Sequence, residues 1–175
     1  MEQQVLAVNP GSSSRKYAIY NGPNQLISAY YEHEGDGISC TITTGSDSES
    51  QPVDLDLSEA LPHFLAQAES QLGVSAGSID ACGVRVVAPG RFFLAHHRVN
   101  NELISAMENY KSRAPLHIEV SLQEIQAVQS ALKNTPIFAL SDSEFHKTLL
   151  HEARNYAIPR SDANEFDVYR FGYHG

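Results

Sequence analysis

The sequence predicts an α/β fold in which a mixed sheet opens as an antiparallel meander and is then covered by helices. Two observations predict it. Up to Pro52 the chain consists of short β-prone runs broken by turn residues, and from Ser58 onward apolar residues recur at helical spacing between further strand-like runs. Consecutive strands with short connections pair antiparallel, whereas strands alternating with helices supply parallel pairs, so the two halves combine into one mixed sheet. With 175 residues and 42% hydrophobic content the chain can bury one good core, and no repeat or interdomain linker divides it.

Residues 4–9, 15–21 and 25–34 read as successive strands, separated by the serine-rich stretch and by Gly22, Pro23 and Asn24. Residues 38–44 add another by their Ile and Thr content, and the polar stretch 45–52 is expected to be an exposed loop with solvated acids. Leu61, Phe64, Leu65, Ala68 and Leu72 then fall at helical spacing. Ser58 is placed to cap that helix and Gly73 to end it, although Pro62 removes one early hydrogen bond. Residues 79–88 look like a buried strand. Leu103, Met107 and Tyr110 mark a second helix, and Leu122, Ile125, Val128 and Leu132 a third. Pro136 opens a last strand-like run, 136–142, that ends in Asp142.

Composition excludes several classes of function. A net charge of −9 opposes binding to nucleic acid or acidic membranes. The N-terminus has no basic leader, and no apolar run approaches the roughly 20 residues that cross a bilayer, so a soluble cytoplasmic protein is expected. Cys40 and Cys82 are the only cysteines and lack a C-x-x-C spacing, which predicts buried reduced thiols without a disulfide or metal.

The chemistry-bearing positions begin with Asn9 and the run Gly11, Ser12, Ser13, Ser14, Arg15, Lys16. A loop of Gly11 to Ser14 between two strands exposes backbone N–H groups and hydroxyls close together, as in sites that hold phosphate oxygens or hydrated Mg²⁺; an ordinary polar hairpin has the same composition. It is not a Walker A loop, because Lys16 is preceded by Arg15 and followed by Tyr17. Arg85 lies inside a strand whose alternation puts it on the face opposite Val84 and Val86, together with Val87. There it either points to water or is neutralised by an anion. Asp142 follows a strand, where α/β sheets place active sites, and it could equally cap a helix. Of the eight histidines, His33, His63, His96, His97 and His151 sit in contexts that demand no role and are expected mostly at the surface. His117, His146 and His174 follow apolar or Gly-rich contexts that could fix a ring in a pocket.

Taken in order, these segments resemble the acetate kinases. Residues 9–16, NPGSSSRK, are similar to the N-x-G-S-S-S-x-K opening of that family, 85-RVV-87 to its H-R-V-V-H-G-G segment, and 114-APLH-117 to its A-P-L-H. Further on, 142-DSEFH-146 resembles D-T-A-F-H, 156-YAIP-159 resembles Y-A-L-P, and 169-YRFGYHG-175 resembles R-R-Y-G-F-H-G. The resemblance implies the ribonuclease H-like lobe of the acetate and sugar kinase, heat-shock protein and actin superfamily. It also implies phosphorylation of a short-chain carboxylate with ATP as co-substrate and Mg²⁺ as cofactor. By the same carry-over Asn9, Gly11, Ser12, Ser13, Ser14 and Lys16 would bind the phosphoryl group, with Asn9 and Asp142 near Mg²⁺, directly or through water. Arg85 would bind the carboxylate and phosphoryl oxygens, His174 would donate to the transferring group, and His117 would sit beside it. Val87, Leu116 and Tyr173 would line the substrate pocket.

Departures from the family pattern bear on the substrate. Val84, Ala88 and Pro89 stand where the family has two histidines and a glycine around its arginine, Ile118 replaces the asparagine after A-P-L-H, and Tyr173 replaces a phenylalanine. A phenol in an apolar pocket needs a partner, so propionate or a more polar acid is an alternative to acetate. The N-P-G opening is also similar to that of butyrate kinases. The chain ends inside the motif that the family continues as H-G-T-S-H, so residues 1–175 are expected to be the N-terminal lobe of a two-lobe kinase, homodimeric in its full form, with the adenosine-binding lobe outside this chain. A divergent, non-catalytic module that kept the fold is the alternative. Pyrophosphate in place of ATP is open.

Overall fold

Alternation through the meander puts Leu6, Val8, Tyr17, Ile19, Ile27, Ala29, Tyr31, Ile38 and Cys40 on one face of a sheet, and all of them are buried. The computed structural model describes residues 3–170. Strands β1 (Gln4–Pro10), β2 (Ser14–Asn21), β3 (Asn24–Glu34), β4 (Gly37–Thr44) and β5 (Asp47–Val53) pair antiparallel in sequence order. On the other side of β1, β6 (Ala81–Val86) runs parallel to it. Strand β8 (Ile137–Ser141) runs parallel to β6, and the short β7 (His97–Arg98) closes that edge antiparallel. The sheet order is therefore β5-β4-β3-β2-β1-β6-β8-β7, a mixed sheet as the sequence predicts.

Helices α1 (Ala60–Leu72), α2 (Asn101–Tyr110) and α3 (Pro115–Ala131) cover the apolar face, α1 over β2 and β3, α3 over β1 and β6, and α2 against α3. Phe64 of α1 is fully buried and stacks on Tyr17 with ring centroids 5.4 Å apart. Burying such a side chain contributes about 1.5–3 kcal/mol. Tyr31 meets Tyr17 edge-on and its hydroxyl bonds Nδ1 of His63 at 2.7 Å. Two short helices, α4 (His151–Arg154) and α5 (Arg160–Glu165), follow β8.

Several sequence expectations need correction. Residues 45–52 are not a loop: Gly45 and Ser46 make a tight turn, and Asp47–Val53 pairs with β4. This strand lies at the sheet edge with nearly all its residues exposed, so no apolar alternation marks it, and its charges and Pro52 discourage pairing with another chain. The cap before α1 is Asp56, not Ser58. Its carboxylate accepts from the Ser58 N–H at 2.8 Å while Glu59 accepts from the Asp56 N–H, a reciprocal box around the short turn Leu57–Glu59. Leu72 is exposed in the last turn, after which Gly73 ends the helix in the left-handed conformation. Helix α3 starts at Pro115, so the A-P-L-H segment is a helix start with proline in the first turn. His63 and His97 have packed roles, the latter stacked on Phe92 at 4.1 Å with Nε2 2.7 Å from the Phe92 carbonyl oxygen. Cys40 and Cys82 are buried and unpaired as expected, and burial pushes the Cys82 thiol up to about 12.

Gly90, just beyond β6, has a φ of +104°, and a Cβ there would lie 2.4 Å from the Tyr110 ring. Alanine therefore combines backbone strain with a collision. We expect Gly90→Ala to lower unfolding free energy in urea by about 2–4 kcal/mol. A change below about 0.5 kcal/mol would mean that Tyr110 moves aside freely, against the close packing described here.

Candidate active site

The parallel trio β1, β6 and β8 points its carboxyl ends to one edge of the sheet, where open α/β sheets place their ligands. Because Leu6, Val8, Tyr17, Val84 and Val86 face the helices, alternation turns Asn9, Lys16 and Arg85 to the opposite, open face. Asn9 and Lys16 are cross-strand partners in the β1–β2 ladder. Asp142 follows β8 directly. Three strands and the turn after a fourth thus supply the four residues, and strand order and register bring them together.

Arg85 organises the cluster. Its Nε donates to Asp142 Oδ1 at 2.8 Å and one terminal nitrogen to Oδ2 at 2.6 Å, a two-pronged pair, while the other donates to Asn9 Oδ1 at 3.0 Å. The Asp142 hydrogen bonds raise the Arg85 pKa further above its ordinary value, so its charge is permanent. The Arg85 and Asp142 side chains are 46% and 27% exposed, which limits the worth of the pair to about 1 kcal/mol or less. An incoming anion or cation can therefore separate them at small cost. Asp142 does not cap the following turn, because Ser141 does so through its own hydroxyl.

Beside this cluster the serine loop closes on itself: the Gly11 N–H donates to the Ser14 carbonyl at 2.8 Å, and a Cβ on residue 11 would lie 2.8 Å from Ser14 Oγ, so a side chain there would have to displace that hydroxyl. Ser12 and Ser13 are exposed, and neither N–H donates to another described residue. Lys16 Nζ rests 4.5 Å from the Tyr30 ring centroid. Asn9, Lys16 and Arg85 form the polar end of an open groove of about 510 Å³ whose floor is apolar, with Ala7, Ala18 and Leu140.

Not every predicted residue joins this site. The groove is not lined by Val87, Leu116 or His117. Leu116 is 72% exposed in the first turn of α3, and Val87 lies beyond the end of β6. Tyr173 and His174 lie outside the described residues, as does the side chain of His146. Two features escaped sequence reasoning. His96 Nδ1 accepts from the Ser141 N–H at 3.2 Å, directly before Asp142, and nothing in a His-His pair announces this. Arg15, Tyr17 and Glu124 form a buried polar network beneath the serine loop. The visible signal was a charged residue at the inward parity of β2.

Comparison with known proteins places this geometry. The family model for the acetokinase family matches residues 4–175. The chain belongs to the acetokinase family. Curated acetokinase relatives include an acetate kinase of Lachnoclostridium phytofermentans, 34% identical over 98% of this chain and 45% of that protein. Another is an acetate kinase of Pseudomonas aeruginosa, 30% identical over 99% and 44%. Among solved structures, Porphyromonas gingivalis acetate kinase superposes with a TM-score of 0.84 at 26% identity, covering 99% of this chain and 45% of its own. A propionate kinase from Francisella tularensis does so with a TM-score of 0.80 at 25% identity and the same coverage. The chain therefore spans a little under half the length of those relatives. Its fold is the actin-like, ribonuclease H-like one that the sequence predicts, and no described helix is long and apolar enough to cross a membrane.

Proposed function

We propose that residues 1–175 form the substrate- and phosphoryl-binding lobe of a phosphotransferase that moves the γ-phosphoryl of ATP to acetate or another short-chain carboxylate, reversibly giving an acyl phosphate and ADP. The observation that carries this reading is the convergence of Asn9, Arg85 and Asp142 beside an open serine loop at the carboxyl ends of three parallel strands. In the forward direction a carboxylate oxygen forms the new bond to phosphorus as the bond to the ADP oxygen breaks. The substrate has no proton to remove near neutral pH, so no general base is required. Catalysis then rests on holding both partners in line and stabilising the equatorial oxygens. Arg85 supplies a fixed positive fork, Lys16 a second positive charge, and Ser12 and Ser13 supply hydroxyls and free N–H groups. The adenosine site, a further carboxylate for metal and a homodimer interface belong to a second lobe in this reading.

Asn9 Oδ1 and both Asp142 oxygens already converge on one cation, the Arg85 guanidinium. One carboxylate and one amide oxygen suit Mg²⁺, which keeps several waters and takes its other ligands from phosphate. Among the described residues no group of three acidic, His or Cys side chains could hold a metal alone. The donor set therefore fits an ion that arrives with nucleotide. When bound, Mg²⁺ would neutralise phosphate charge; Asn9 and Asp142 would orient it.

The reading is tested by titrating this chain with inorganic phosphate and acetyl phosphate while following amide and Arg Nε resonances. Shifts at Gly11 to Ser14 and at Arg85 with millimolar dissociation constants are expected. Shifts elsewhere, or none, would overturn the site.

A further inference from the structure

Arg15 is the charged residue that the proposed chemistry leaves unused. It shares the inward parity of Tyr17 and Ile19, is only 6% exposed, and stands at an open position of the serine-loop motif. A guanidinium buried there without a partner would cost several kcal/mol. Its partner comes from α3, 109 residues away: Arg15 Nε donates to Glu124 Oε2 at 2.8 Å, and Glu124, 4% exposed, accepts from the Tyr17 hydroxyl on its other oxygen at 2.7 Å. Burial raises the Glu124 pKa, and the bonds from Tyr17 and Arg15 oppose that shift.

The rest of the guanidinium points into the loop. One terminal nitrogen donates to the Gly11 carbonyl at 2.5 Å and to the Ser14 carbonyl at 3.0 Å. A trans peptide holds its C=O and N–H antiparallel, so turning the Gly11 carbonyl inward directs the Ser12 N–H outward, away from the helices. The Gly11 N–H is already engaged by Ser14. Of the loop donors left for an anion, the Ser12 N–H is the one whose direction Arg15 sets. A buried ion pair of this kind is replaceable by apolar side chains with little loss of stability, so stability alone does not account for it.

We propose that Arg15, anchored by Glu124 and Tyr17, is the positioning residue of the anion-binding loop, turning the Ser12 peptide toward a phosphoryl oxygen and fastening the loop to helix α3. The inference rests on the phosphoryl-binding reading of that loop. Its test compares the wild-type chain with the apolar network variant Arg15→Met/Tyr17→Phe/Glu124→Leu and with Arg15→Lys. The apolar variant is expected to unfold cooperatively at a similar urea concentration, to shift the Ser12 and Ser13 amide resonances in the free protein, and to bind inorganic phosphate at least 10-fold more weakly. Lysine keeps the pair with Glu124 but lacks the fork that also reaches both carbonyls, so a loss between the two is expected. If the apolar variant does not fold, Arg15→Lys carries the same comparison. Unchanged loop resonances and unchanged phosphate affinity in a folded variant would overturn the proposal. Should the wild-type chain not bind phosphate, the phosphoryl-binding reading fails by itself. The free-state Ser12 and Ser13 resonances still decide whether Arg15 shapes the loop.

Discussion

Arg85→Ala is expected to lower turnover of the complete phosphotransferase by on the order of 10³-fold, the scale at which an arginine acts on a transferring phosphoryl group. The guanidinium is permanently charged, and Asn9 and Asp142 hold its plane in place before any ligand arrives. Charge that develops on the phosphoryl oxygens therefore meets a donor that does not have to reorganise. The fold should be indifferent to the change. Val84 and Val86, the core-facing neighbours in β6, are untouched, and a half-exposed ion pair contributes at most about 1 kcal/mol. Lysine restores charge without the planar fork, so Arg85→Lys should recover part of the carboxylate affinity, seen in KM, and little of kcat. Steady-state kinetics with acetate and with propionate check both arms. A folded Arg85→Ala enzyme with near-full activity on both acids would make Arg85 a surface arginine and remove the centre of the proposed site.

The parts of this structure that could be read from sequence are those set by alternation along one strand or one helix. Val84 and Val86 inward against Arg85 outward is such a case, and so is the Leu61, Phe64, Leu65, Ala68 stripe of α1. Strand β5 was illegible because an edge strand open to water carries no apolar period, and its pairing is decided by the free edge of β4. The start of α3 was missed because its first buried residue after Ala114, Ile118, lies a full turn before the periodic run that marks it. Within the site, Asn9, Lys16, Arg85 and Asp142 were singled out by strand alternation, strand ends and motif resemblance, and the structure adds why they meet: shared parity across the antiparallel β1–β2 ladder and the parallel β1–β6–β8 register. The network of Arg15 with Glu124 depends on a contact between distant segments, and no local pattern specifies that contact. Val87 and Leu116 are assigned to an apolar pocket by resemblance; neither lines the groove beside Arg85, whose lining includes Ala7, Ala18 and Leu140.

Asp142→Asn separates the two things that Asp142 is proposed to do, because its effects on binding and on turnover should have opposite signs. In this chain the carboxylate neutralises Arg85 through both of its oxygens. Asparagine keeps the size and one acceptor but removes the charge, which leaves the guanidinium free for an external anion. Phosphate affinity of the chain is therefore expected to rise about 3–10-fold, the equivalent of the roughly 1 kcal/mol that such a pair can hold. Unfolding in urea should change by no more than about the same amount. Turnover of the complete enzyme should instead fall by about 10²-fold or more, because the amide is a poor substitute for a carboxylate in orienting Mg²⁺ against the phosphates. Isothermal titration with inorganic phosphate and kinetics at varied Mg²⁺ measure the two effects independently. If phosphate affinity falls along with turnover, Asp142 supports the anion site structurally and does not compete with it. If neither changes, the Arg85–Asp142 pair is an ordinary surface contact, and the positive charge that meets the phosphoryl group has to come from Lys16 instead.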